Sequence, residues 1–111
     1  MNWVTCYLVR RKDYDNWMFE DDPSQVLKTI ESDAKYTEET AEYTEDPEEA
    51  QEYRQEAAAI LADLENMKIL LPTAKPKDVI DLELHEITVI EIPLWFRDHY
   101  LDIAPDFDGW Y

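Results

Sequence analysis

The same helix-opening signal occurs twice in this chain, as Asp22-Pro23-Ser24-Gln25 and as Asp46-Pro47-Glu48-Glu49. In each, an Asp stands where it caps the free N–H groups of a first turn. A proline follows at the first helical position, where no N–H is needed, and a Gln or Glu closes a capping-box variant. Two central helices are therefore expected. The second is the better specified: Ala50, Tyr53, Ala57, Ile60, Leu61, Leu64 and Met67 recur at the three-four spacing of a buried stripe. The run Ala57-Ala58-Ala59 adds intrinsic propensity. This helix should end between Met67 and Leu71, before Pro72. In the first helix Val26, Leu27, Ile30 and Ala34 share a face, and the pattern fades near Tyr36. Residues 37–45, rich in Thr and Glu, read as a loop or weak helical turn.

Strand patterns flank the helices. Over residues 2–11, Val4, Cys6 and Leu8 alternate with Trp3, Thr5, Tyr7 and Val9. Both faces are apolar, as in a central strand. Residues 13–22 are acidic with aromatics between and read as a loop. Residues 72–78 form a connector. Residues 79–92 are β-rich, but the alternation changes phase near Glu86, as a bulge or two-sided burial would produce. Pro93 stops the strand. Residues 94–103 fit a short strand or helix, and 104–111 an aromatic-acidic tail.

The expected architecture is one α+β domain over residues 1–111. The terminal strands pair in a small antiparallel sheet, and both helices pack on one of its faces. The single glycine, Gly109, leaves few tight turns and disfavours an all-β fold.

Charge decides what such a domain can meet. The net charge is −17, from 27 acids against 10 bases, where a magnitude of roughly 2–8 already keeps a small domain soluble. A direct nucleic-acid or anionic-membrane binder would carry the opposite sign. The excess is uneven: residues 38–56 hold nine acids and one base, Arg54. On an ideal helix Glu45, Glu49, Glu52, Glu56 and Asp63 fall on one side, away from much of the apolar stripe. Glu49 to Asp63 would span about 21 Å at 1.5 Å per residue, the axial length of about six phosphates on one DNA strand. Glu38, Glu39, Glu42, Asp21 and Asp22 would widen the row. Carboxylates so arranged can take the place of phosphates on Lys and Arg. Tyr36, Tyr43, Trp17 and Phe19 are available as anchors.

In length, charge and aromatic content, the chain resembles the small acidic inhibitors encoded by phages and mobile elements, among them DNA-mimic anti-restriction and anti-CRISPR proteins. That resemblance implies an inhibitor that occupies a basic nucleic-acid-binding effector or nuclease in a host cytoplasm. It carries no residue-specific motif. A non-inhibitory acidic adaptor of a basic partner is the alternative. The sequence leaves the oligomeric state open, with a dimer among the options.

Signals for chemistry are sparse. His85 and His99 are isolated from any zinc-type spacing. An enzyme would need one of them brought to a carboxylate in a pocket. Cys6 alternates with Val4 and Leu8, as a core thiol would. The pairs Asp13/Asp15 and Asp106/Asp108 lack a calcium-loop spacing. One glycine excludes a Gly-rich phosphate loop. No catalytic residue, metal site or cofactor is expected. With one cysteine, no basic-then-apolar leader and no apolar run near the ~18 residues of a membrane span, a cytoplasmic protein is expected.

Overall fold

A computed structural model describes residues 2–13 and 16–97, with the side chain of Asn16 excepted. Four antiparallel strands form one sheet in the order β2-β1-β4-β3. They are β1 (Trp3–Arg11), β2 (Asn16–Glu20), β3 (Val79–Asp81) and β4 (His85–Pro93). Two helices, α1 (Pro23–Tyr43) and α2 (Pro47–Leu70), form an antiparallel hairpin on one face, and a 3-10 turn, Leu71–Thr73, follows α2. The α+β expectation holds.

Both helices open as their Asp-Pro signals predict. Asp22 accepts the N–H of Ser24 at 2.9 Å, and Asp46 accepts that of Glu48 at 3.1 Å. α1, however, does not fade at Tyr36. It continues to Tyr43, because Thr37 and Ala41 extend the buried stripe of Val26, Ile30 and Ala34. The stripe was hard to see because a threonine and an alanine carry it where larger apolar residues carried it before. The Thr37 hydroxyl is also satisfied within the helix, donating to the Asp33 carbonyl at 2.9 Å.

β1 is central, and its two faces do different work. Tyr7, Val9 and Arg11 point toward the helices with Met18, Ile87, Val89 and Ile80 from the neighbouring strands. They meet Val26, Ile30 and Ala34 of α1 and Ile60, Leu64 and Met67 of α2 in one core. Each large apolar side chain buried there contributes about 1.5–3 kcal/mol. On the other face Cys6 lies beside Ile90, and Leu8 beside Phe19 and Thr88.

Two segments depart from expectation. Residues 16–20, read as loop, are an edge strand, paired Val9↔Met18 and Leu8↔Phe19. Its three central residues, Trp17, Met18 and Phe19, are all apolar, so no alternation marks it, and pairing with β1 makes it a strand. Residues 79–92 are not one strand: the chain reverses at 82–84. That reversal explains the phase change, since Ile80 of β3 lies opposite Ile87 of β4 on the core face. β3 starts from a turn, Lys75-Pro76-Lys77-Asp78, in which Asp78 N–H donates to the Lys75 carbonyl. Lys77 there has φ 80°, a left-handed value that glycine usually supplies. Lys77 N–H and Asp78 C=O both bond to Val89, so two residues oppose one and the strand enters through a bulge.

No helix among the described residues is long and apolar enough to cross a membrane.

Candidate protein-binding arm and buried polar core

The helical hairpin has two unlike halves. Near the sheet it shares the large apolar core. Beyond Ala34 on α1 and before Ile60 on α2, the buried residues are Thr37, Ala41, Ala50 and Ala57, and none belongs to that core. Small residues let two helices approach closely without filling a core. The distal half is thus a two-helix arm about 15 Å long, at 1.5 Å per residue.

Its outer surface is acidic. Over residues 36–52, Glu38, Glu39, Glu42, Glu45, Asp46, Glu48, Glu49 and Glu52 are all exposed, and there is no Lys or Arg. Among the described residues, none of these eight joins an ion pair. Tyr36 and Tyr43, two turns apart on α1, are 71% and 85% exposed, so the arm offers aromatic faces among its carboxylates.

The row expected on α2 is shorter than its sequence spacing implies. Glu49 and Glu52 lie on the exposed face as expected. Glu45 is exposed but precedes the helix, whose N-cap is Asp46. Glu56 is half-buried and pairs with Arg11. Asp63, expected at the end of the solvent row, is 1% exposed. Asp21 and Asp22 sit at the opposite end of α1: Asp21 pairs with Arg97 at 3.2 Å, and Asp22 is the N-cap. Glu38, Glu39 and Glu42 do reach the arm, because α1 runs on to Tyr43. Asp46 and Glu48, read from sequence only as a helix start, belong to the acidic tip as well.

The acids that leave the row organise a buried polar core under the hairpin. Arg11, 4% exposed, donates to Asp13 at 2.8 Å, to Asp33 of α1 at 3.2 Å and to Glu56 of α2. Burial works against its charge, but the hydrogen bonds and charges of Asp13 and Glu56 outweigh that and raise its pKa above the ordinary value. The alternation of Arg11 with Tyr7 and Val9 on the inward face was the sequence signal for this role.

Directly across the sheet from Arg11 lies His85, fully buried, with Nδ1 2.9 Å from Asp63 Oδ2. Asp63 also accepts the N–H groups of Glu83, Leu84 and His85 at 3.1, 2.8 and 3.0 Å. One carboxylate thereby fastens the β3–β4 turn to α2. The ring nitrogen and carboxylate stand as in a catalytic pair, but the His85 ring is 0% exposed, so no substrate reaches it. Among the described residues, His85 Nε2 has no hydrogen-bond partner.

Burial foremost, then the charge of Asp21, pushes the Cys6 thiol up to about 11 against the opposing effect of Arg97. It remains a neutral thiol near neutral pH. Asp13 is engaged by Arg11, whereas Asp15, His99, Asp106 and Asp108 fall outside the described residues, as does the expected tail. Among the described residues, no three His, Cys, Asp or Glu side chains form a group able to hold a metal ion.

Comparison with family models, curated proteins and solved structures found no match for this chain.

Proposed function

We propose that the chain is an inhibitor that binds a basic nucleic-acid-binding protein, with the acidic arm occupying the place of nucleic-acid phosphates. The observation that carries this reading is the tip itself: eight exposed acids and no base on residues 36–52 of a projecting two-helix arm. A solvated helix face normally mixes both signs. Concentrated carboxylates make the local potential strongly negative, steer a basic partner and speed association at low salt. The exposed Tyr36 and Tyr43 supply what charge alone lacks. Their rings stack on guanidinium groups, and aromatic anchors hold an interface after encounter. An effector or nuclease of the anti-CRISPR or anti-restriction target type would meet the arm with the Lys and Arg that hold nucleic-acid phosphates.

The experiment is affinity capture from bacterial lysate at low and high salt. The wild type is compared with a Glu45→Lys, Glu49→Lys, Glu52→Lys variant. These positions are exposed and carry no packing role, whereas Glu56 must be left intact because it holds Arg11. The expected result is salt-sensitive capture of nucleic-acid-binding proteins, displaced by added DNA and lost in the variant. Capture that survives the three reversals contradicts the reading.

A further inference from the structure

The surface beside β3 carries little of the chain's acidity. Residues 68–82 hold Lys68, Lys75 and Lys77 against Asp78 and Asp81, a balance of +1 in a protein of −17. Apolar side chains are exposed here: Ile69 at 71%, Val79 at 58% and Leu70 at 42%. A groove of about 290 Å³ runs between the end of α2 and β3, lined by Leu70, Thr73, Ala74, Val79 and Ile80 with Asp78 and Asp81.

Among the described residues, β3 is also an open sheet edge. Its bonds to β4 alternate: Asp78 C=O accepts from Val89, and Leu82 N–H donates to His85. Even-numbered residues thus turn their main chain inward, and Val79 and Asp81 turn theirs outward. β3 is short and a bulge precedes it, but no proline and no inward-pointing charge interrupts Val79, Ile80 and Asp81 themselves.

We propose that this edge pairs with β3 of a second copy, antiparallel, across a two-fold axis at Ile80. That register sets Val79 of one chain against Asp81 of the other, twice, and uses all four outward N–H and C=O pairs. It is self-complementary, as an isologous interface must be. Charge selects the occupant. A basic partner is drawn to the arm rather than to a patch of +1, whereas a second copy meets little like charge here. The tip at Asp46 lies about 36 Å along α2 from Leu70 at 1.5 Å per residue, so pairing leaves both arms free. This inference is independent of what the arm binds.

Sedimentation equilibrium of the whole chain tests it, with Val79→Pro and Val79→Lys as variants. Proline removes an outward N–H that the fold does not use, and lysine places a charge on the edge. The expected result is twice the chain mass for the wild type and the single mass for both variants, with circular dichroism and melting temperature unchanged. Added salt should strengthen the dimer, because it screens repulsion between two like-charged copies, whereas salt weakens partner capture by the arm. Tip reversal at Glu45, Glu49 and Glu52 should leave the dimer in place. A wild type that is monomeric at high concentration, or a dimer that survives both Val79 variants or dissolves in salt, overturns the proposal.

Discussion

The two ends of the helical hairpin are built on opposite terms. At the sheet end, Ile30, Ile60, Leu64 and Met67 fill a core, and acids are drawn inward onto Arg11 and His85. At the far end, alanines and one threonine hold two helices together, and every acid from residue 38 to residue 52 is left in water. Both stretches contain Glu and Asp at helical spacing. What differs is whether a cation or a row of free N–H groups lies beneath them. A carboxylate with such partners becomes part of the fold, and one without them stays available to another molecule.

The largest effect expected from this contrast is at Asp63. Replacing it with alanine leaves three N–H groups and the His85 ring without their acceptor. A cost of about 3–5 kcal/mol is expected, as for other broken buried polar pairs, measured by urea denaturation. A cost within the range of a surface substitution would place Asp63 with the tip acids after all.

Ala50→Leu should act at the other end. It overfills the close approach of the arm helices and should cost about 1–3 kcal/mol. Its signature is local: amide exchange should accelerate within residues 36–57 and stay unchanged in β1 and β4. Uniform acceleration would mean that arm and base unfold together rather than as separable parts.

Glu20 gives the smallest effect and a pH signature. Burial first, then the charges of Asp21 and Asp22, push its carboxyl above the ordinary carboxylate range. A carboxyl with a raised folded value contributes stability that is fully present below the ordinary value and lost as pH rises through the raised one. Glu20→Gln should therefore raise the melting temperature slightly at neutral pH, and the gain should close as the pH falls below 4.5, the ordinary glutamate value. A gain that persists in acid would show that its cause is packing, not ionisation.

Much of the fold was legible in the sequence, for physical reasons. The Asp-Pro caps, most of the α2 stripe and the two-sided alternation of β1 are local signals and formed where expected, although Leu61, expected in that stripe, is exposed. What escaped depended on distant partners. β2 is a strand because β1 pairs with it, and the second half of α1 is a helix because Ala50 and Ala57 on α2 receive its small residues. The acidic row was half legible. Helical spacing placed Glu49 and Glu52 correctly, but spacing cannot register that the β3–β4 turn brings three N–H groups to Asp63, or that Arg11 reaches Glu56. A buried arginine or histidine on the inward face of a strand is the sequence feature that would have warned of acids being recruited from a helix.

The central claim is that the base of the hairpin carries the fold and its tip carries the binding. It is tested most directly by capturing partner proteins on the Glu45→Lys, Glu49→Lys, Glu52→Lys variant while its unfolding free energy is measured on the same preparation. Stability within about 0.5 kcal/mol of the wild type, as for surface changes that break no buried contact, with partner capture abolished, is the predicted result. Undiminished capture by the folded variant would contradict it.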